Sequence, residues 1–127
     1  MTIEERIKAA ETRHFKAIFP NSVNHYDTMF GGMALSLMDE VAFIAATRFS
    51  RQSIVTVSTE KIDFKKPIPS GTIIEIVASI HKVGSTSIQV KVEVYREEMY
   101  VENRERAIEG IFTFVAIGKD KKPVRIV

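Results

Sequence analysis

The sequence has 127 residues, of which 45% are hydrophobic and 27% charged, the profile of one globular domain and not of a disordered, collagenous or membrane chain. Its formal net charge of +2 is too small to indicate nucleic acid as a partner. Cysteine is absent, which excludes disulfides, thiolate nucleophiles and cysteine metal sites. We expect a single domain over residues 1–127.

The chain begins with Met1-Thr2-Ile3, which lacks the basic start and apolar run of a secretory signal peptide. The most apolar stretch, near residue 40, is interrupted by polar and acidic residues, so it does not predict a membrane span. These features predict a cytoplasmic protein with no membrane partner.

The first predicted elements are a short helix and a short strand. Thr2 and Glu5 have the spacing of a capping box, which predicts a short N-terminal helix within residues 1–12, beginning near residue 3. An extended segment is predicted over 14–19, and the Pro-Asn-Ser cluster at 20–22 predicts a turn.

A long helix is predicted from about Gly32 to Arg48, with apolar residues on all its sides. Other structure must therefore wrap it. Two acids, Asp39 and Glu40, fall near its middle. An ionised carboxylate is costly to bury unless it is hydrogen-bonded or paired, so Asp39 is either satisfied by its neighbours or retained for chemistry.

The period of hydrophobicity then changes from helical to two, which is typical of strands with one face on a core. Strands are predicted over about 54–64, 74–80, 86–94 and 107–117, followed by a polar basic tail at 118–127. The order of strand, long helix and four strands predicts an α+β fold, with the helix on one face of a five-stranded antiparallel sheet. Pairing of an edge strand with a second copy would continue the sheet and hide the exposed edge, so a dimer or a multiple of a dimer is expected.

The start of the long helix predicts an oxyanion site. Gly31 and Gly32 allow close approach to the free N–H groups of the first turn, where the helix dipole would polarise an acyl carbonyl. Asp39 lies about two turns after Gly32 and on the same helical face. A water between them could attack with Asp39 as general base, or Asp39 could itself be the nucleophile, while Asn24 orients the water or the carbonyl.

A second interpretation is structural. Asp39 can be a core acid bound by Ser36 or by backbone groups, and a pair of glycines can form only a tight helix entry. Physical reasoning from these residues does not choose between the two interpretations.

Several separated motifs occur in a fixed order: Asn24, Thr28-Met29-Phe30-Gly31-Gly32, Met38-Asp39-Glu40, Val55-Thr56, Asp63-Phe64 and Pro67. In this order they resemble the hotdog-fold acyl-CoA thioesterases of the broad-specificity bacterial and brain-type group, over about residues 14–117. The resemblance implies hydrolysis of an acyl-CoA thioester to a free acid and coenzyme A. It also implies that Asp39 and Asn24 are a catalytic pair from opposite subunits of a dimer, with a trimer of dimers as the higher assembly. No cofactor is implied beyond the coenzyme A of the substrate.

The resemblance also implies substrate-binding residues. The segment Gly84-Ser85-Thr86-Ser87 is similar to the family segment that lies against the pantetheine and phosphate arm of coenzyme A, although an ordinary hairpin turn has the same composition. Apart from the resemblance, six basic residues are candidates for the nucleotide phosphates, although most lysines and arginines simply solvate a surface: Arg48, Lys61, Lys65, Lys66, Arg104 and Arg106. Of these, Lys65 and Lys66 are favoured. Thr56 and Val57 would line the thioester channel, where Gly31 also contributes.

Asp27 departs from the family pattern, because relatives usually have glycine at this position. Aspartate adds a negative charge near the expected acyl site and restricts a turn that can require positive φ. It can equally be a solvated turn residue.

Two other functions are compatible with a hotdog domain. His25, next to Asn24, would be the histidine of a hydratase or dehydratase, but a loop residue that supports Asn24 fits the thioesterase pattern better. A binding module would sense acyl-CoA without turnover. The three histidines, His14, His25 and His81, lack metal-ligand spacing, so no metal site is expected.

Overall fold

A computed structural model describes all residues from 1 to 127 and contains two α-helices and one five-stranded antiparallel sheet. The elements are α1 (Ile3–Ala10), β1 (Thr12–Ala17), a 3-10 turn (Pro20–Ser22), α2 (Gly31–Ser50), β2 (Ile54–Phe64), β3 (Thr72–Val83), β4 (Ser87–Glu98) and β5 (Glu105–Ala116). The strands lie in the order β1-β3-β4-β5-β2, so β1 and β2 are the two edges. The predicted element order and the α+β hotdog arrangement are confirmed, with ends displaced by a few residues.

The N-terminal helix α1 has the capping box that its sequence predicts. The Glu5 N–H donates to the Thr2 hydroxyl, and the Thr2 N–H donates to the Glu5 carboxylate, each at 3.1 Å. The Arg6 guanidinium donates to the Phe49 carbonyl at 2.7 Å and fixes α1 on the last turn of α2. The helix ends two residues earlier than expected, because β1 begins at Thr12.

The inner face of the sheet packs on α2 and forms the core with it. Ile76, Val90, Val92 and Phe114 on the strands are fully buried, as is Met38 on the helix. Alternation along β4 explains this arrangement, because every second residue from Ile88 to Val94 faces the helix and is buried.

The single chain covers only part of α2. Met33, Phe43 and Ile44 on the helix remain 37–43% exposed, and Val55 and Val57 on the edge strand β2 are 41% and 52% exposed. The sheet of one chain therefore does not wrap the helix completely. The edge strand β2 lies against this helix, since the Thr56 hydroxyl on β2 donates to Asp39 of α2.

The last residues are basic in composition but do not form a simple polar tail. Ile126 is 2% exposed and belongs to the core cluster, and its N–H donates to the Ser85 carbonyl at 2.8 Å. The Val124 N–H donates to the Ala116 carbonyl at 2.9 Å. The sequence predicted only a polar basic tail because two apolar residues, Val124 and Ile126, among many charged ones form no periodic pattern. Neither helix combines the length and hydropathy that crossing a membrane requires.

Candidate active site

The start of α2 is open and uncapped. Phe30 occupies the N-cap position without a side-chain hydrogen bond, which leaves the N–H groups of the first turn without acceptors. A Cβ placed on Gly32 would meet no atom within 4 Å, whereas one on Gly31 would lie 3.6 Å from the Phe64 ring. The surface beside Gly32 is thus open next to the unpaired donors of the first turn, as access to an oxyanion site requires.

Asp39 is half-buried on α2, and its side chain has a specific partner. The Thr56 hydroxyl on β2 donates to Asp39 Oδ1 at 2.9 Å. The structural interpretation expected Ser36 or backbone groups as the donors, and neither bonds to this carboxylate. Because Thr56 uses only one oxygen, the other carboxylate oxygen is available for a water. The sequence placed Thr56 in the channel but gave no sign that it holds Asp39, because the hydrogen bond joins two elements.

Asn24 lies in the loop that leads into α2, and its side chain organises that loop. Its Oδ1 accepts from the N–H of Tyr26 at 2.9 Å and of Thr28 at 3.1 Å. The Asn24 N–H donates to the Thr28 carbonyl at 2.8 Å. With Oδ1 occupied, the Nδ2 group is the free donor of this amide, so Asn24 can donate a hydrogen bond to a carbonyl or a water but has little left to accept one.

Asp27 occupies a turn that does require positive φ. Its φ is 59°, a value that aspartate tolerates better than most residues other than glycine. Its carboxylate accepts from the Ser70 hydroxyl at 2.7 Å and, more weakly, from the Ser70 N–H at 3.4 Å. Asp27 is therefore a turn residue with a hydrogen-bonded side chain, and no local pattern in the sequence relates it to its distant partner Ser70.

Lys65 and Lys66 follow β2 and line an open pocket of about 270 Å³ with Phe64, Ile68 and Ala34 of α2. The Lys65 ammonium lies 3.1 Å from the Asp63 carboxylate and 3.5 Å from that of Glu109. The hydrogen bond to Asp63, followed by the charges of both acids, raises the pKa of Lys65. Lys66 has no ion pair, so of the two it is the cation that is free for a phosphate.

The segment 84–87 is a tight turn between β3 and β4. The Gly84 N–H donates to the Ser87 carbonyl at 2.8 Å, and the Thr86 carbonyl accepts from Ala116 at the end of β5. Ala116 pairs with Ile54 at the start of β2, so this turn and Lys65-Lys66 lie at opposite ends of the sheet in one chain.

His25 and Val57, which were also predicted from the sequence, make no side-chain hydrogen bonds. His25 is exposed and contacts Tyr26, with ring centroids 3.9 Å apart and ring planes tilted by 40°. Val57 is exposed and lies at a register shift in the pairing of β2 with β5. No group of three or more histidine, aspartate or glutamate side chains converges in a metal-binding geometry.

The thioesterase superfamily family model matches residues 26–102, which include Asp27, α2 and β2 to β4. The chain belongs to the thioesterase superfamily. It is 36% identical over 109 residues to YkhA, an uncharacterized acyl-CoA thioester hydrolase of Bacillus subtilis. That match covers 86% of this chain but only 63% of the relative, so the chain spans less than two thirds of its length.

Solved structures of acyl-CoA hydrolases have the same fold. The acyl-CoA hydrolase of Bacillus cereus superposes with a TM-score of 0.91 at 34% identity, covering 94% of this chain and 73% of that one. An acyl-CoA hydrolase of Staphylococcus aureus, in complex with butyryl coenzyme A, coenzyme A and coenzyme A disulfide, gives 0.89 at 32% identity with the same coverage. A hexameric broad-specificity acyl-coenzyme A thioesterase gives 0.83 at 30% identity, covering 90% of this chain and 84% of that one.

Three structures of the Staphylococcus aureus enzyme carry single alanine substitutions, of an asparagine, an aspartate and a threonine. The asparagine precedes the aspartate by 15 positions, and the threonine follows it by 17. Asn24, Asp39 and Thr56 have the same types and the same two spacings, since 39 − 24 = 15 and 56 − 39 = 17.

Proposed function

We propose that this chain is an acyl-CoA thioester hydrolase that releases a free carboxylic acid and coenzyme A. The observation that carries the proposal is the set of Asn24, Asp39 and Thr56. In the chain Thr56 holds Asp39 by a hydrogen bond of 2.9 Å, and the same three residue types at the same spacings are the substituted positions of an acyl-CoA hydrolase of similar fold. The named activities of the similar proteins agree with this chemistry.

We propose that each active site is completed by a second copy of the chain. Gly32 and Asp39 are seven residues apart on one helix, which places them about 10 Å apart along its axis at ~1.5 Å per residue. One carbonyl cannot accept from the Gly32 N–H and also receive a water held by Asp39 of the same helix. This replaces the expectation that a water lies between them within one chain. Asn24 precedes α2, so it lies with Gly32 at the same end, and Asp39 of one copy would work with both residues of the other.

The exposed surface supports this assembly. Pairing of β2 with β2 of a second copy about a two-fold axis would be antiparallel and would remove the unpaired edge. It would also place the apolar residues of the exposed α2 face near the dimer interface: Met33, Phe43 and Ile44. A similar thioesterase is hexameric, and by analogy we propose a trimer of dimers.

Antiparallel pairing would also bring together two predicted substrate-binding segments, Lys65-Lys66 and the turn at 84–87, which lie far apart within one chain. The 11 residues of β2 keep Lys66 roughly 35 Å from the turn at 84–87 of the same chain, at ~3.3 Å per residue. Across the pair, the end of β2 lies beside the start of the partner β2, and three strand spacings of ~4.8 Å reduce the separation to roughly 15 Å. One coenzyme A would then contact Lys66 of one copy and residues Gly84, Ser85, Thr86 and Ser87 of the other.

The reaction uses groups that this arrangement brings together. The free N–H of Gly32 and the Nδ2 of Asn24 polarise the thioester carbonyl, and Asp39 accepts a proton from a water that attacks its carbon. Collapse of the tetrahedral intermediate breaks the C–S bond, and the proton passes from Asp39 to the departing thiolate. The products are the carboxylic acid and coenzyme A, with no cofactor consumed. We place the reaction in the cytoplasm and expect no nucleic acid or membrane partner.

The test follows free thiol during incubation with acyl-CoA esters from short to long chain. We expect release by the wild type, loss of at least a hundredfold for Asp39→Asn, and little change for Glu40→Gln, the neighbouring exposed acid. No thiol release from any ester would defeat the proposal, and hydration of enoyl-CoA without thiol release would favour the hydratase. A single turnover in ¹⁸O-water tests for a nucleophilic Asp39: an unlabelled first acid product together with ¹⁸O on the Asp39 carboxylate would show that water attacked an Asp39–acyl anhydride at the aspartyl carbon, whereas general-base catalysis puts the label in the acid.

A further inference from the structure

The loop that carries Asn24 is tied to the rest of the chain by one side-chain hydrogen-bonded pair, in addition to the buried side chain of Met29. The Ser70 hydroxyl donates to Asp27 Oδ1 at 2.7 Å, joining the loop to the segment 67–71 between β2 and β3. The Met29 N–H donates to the Ile68 carbonyl of the same segment at 2.7 Å. The Asp27–Ser70 pair is thus a clasp, and a backbone bond two residues along the chain supports it.

The segment that receives the clasp is itself fixed. Ile68 is 3% exposed, and the Thr72 hydroxyl donates to the Pro69 carbonyl at 2.8 Å. The Gly71 N–H donates to the Ile18 carbonyl at 2.9 Å, which joins the segment to the chain after β1. Ser70 therefore presents its hydroxyl from a rigid support.

The clasp bears directly on the Asn24 side chain. The Asp27 N–H donates to the Asn24 carbonyl at 3.0 Å, and the residues on either side of Asp27, Tyr26 and Thr28, donate their N–H groups to Asn24 Oδ1. Fixing Asp27 in its positive-φ conformation fixes these donors, and they set the rotamer of Asn24. The direction of the free Nδ2 group follows from that rotamer.

We propose that Asp27 is a positioning residue of the thioesterase, which acts through Ser70 to hold Asn24 in its donor geometry. The inference rests on the proposed function, because it assigns a consequence to the Asn24 geometry. It also explains an aspartate in a positive-φ turn, since glycine would supply the conformation without the clasp.

Kinetics of four variants test the inference. Asp27→Gly keeps the backbone conformation and removes the carboxylate, and Ser70→Ala removes the donor. We expect each to lower kcat by about three- to tenfold, the range for one partly exposed hydrogen bond, with KM changed less than twofold. The double variant should lose no more than either single one, because both remove the same bond. Asp27→Asn retains an acceptor and the turn, and should recover at least half of the wild-type kcat.

The effect of Asp27→Gly on kcat in an Asn24→Ala background distinguishes a positioning role of the clasp from a purely structural one. There Asp27→Gly should leave kcat unchanged, since the residue that it positions is already absent. A further fall in kcat of the same size in that background would overturn the proposal. Unchanged kcat in Asp27→Gly and Ser70→Ala would also overturn it.

Hydrogen exchange separates failure of the clasp from failure of the proposed function. Asp27→Gly should raise amide exchange in the peptide 24–30 about tenfold and leave β4 unchanged, whether or not the protein hydrolyses acyl-CoA. Unchanged exchange in 24–30 would refute the clasp, while absence of thiol release by the wild type would refute the function and with it the positioning role.

Discussion

Replacement of Thr56 by valine tests how the structure holds Asp39. Valine has nearly the shape of threonine but no hydroxyl, so Thr56→Val removes the 2.9 Å hydrogen bond to Oδ1 and little else. A hydrogen bond to a charged acceptor contributes ~1.5–3 kcal/mol when buried, and the exposure of Thr56 in the single chain reduces the expected value to about 1 kcal/mol. That free energy corresponds to a fall of about fivefold in kcat/KM.

The assay is steady-state thiol release with one acyl-CoA at several concentrations. Thr56→Ser keeps the donor and should retain most of the activity. Thr59→Val is the matched control, because Thr59 lies on the same strand and has no side-chain hydrogen bond. An unchanged kcat/KM in Thr56→Val, or an equal fall in Thr59→Val, would refute the assignment of Thr56 as the group that holds Asp39.

Three other substitutions probe separate parts of the structure. The methyl group of Gly32→Ala would contact no atom of its own chain, so thermal unfolding should show no loss of stability, while thiol release should fall at least tenfold. Equal losses of stability and activity would contradict an open oxyanion site. Glu75 is 6% exposed and forms ion pairs with Arg13 and Arg104. Glu75→Gln should therefore lower the free energy of unfolding, measured in urea, by about 2 kcal/mol. An unchanged free energy of unfolding would show that the ion pairs contribute nothing to stability. The hydrogen bond from Arg96 lowers the pKa of Glu105, so this pair stabilises the fold above the ordinary glutamate value of 4.5 and less as the pH falls below it. Glu105→Gln should therefore make stability less dependent on pH in that range, and an unchanged profile would contradict the pairing.

The sequence predicted the parts of the fold that a local pattern specifies. Alternation along β4 and the change of period after α2 identified the strands, and the capping box of Thr2 and Glu5 identified α1. The exposed edges of the predicted sheet led to the prediction of a second copy, and the uncovered apolar face of α2 is consistent with that prediction.

Contacts between elements that are distant in the sequence could not be predicted from it. The hydrogen bond of Thr56 to Asp39 and that of Ser70 to Asp27 join residues 17 and 43 positions apart, and no spacing rule relates such pairs. The sequence also paired Gly32 with Asp39 on one helical face, which is correct for rotation about the axis but ignores the ~10 Å of rise between them. Asp27 is a further example: the sequence indicated that its turn can require positive φ, but it did not indicate that Ser70 bonds to its carboxylate.

A mixing experiment tests most directly whether the active site is shared between two copies. Asp39→Ala and Asn24→Ala variants, each nearly inactive, are unfolded together in equal amounts and refolded. Random pairing makes half of the dimers mixed, and each mixed dimer would contain one intact site of two, so thiol release should recover to about a quarter of the wild-type rate. If Asn24 and Asp39 of the same chain formed the site, every site in the mixture would remain defective, and no recovery above the two separate variants would contradict the shared active site.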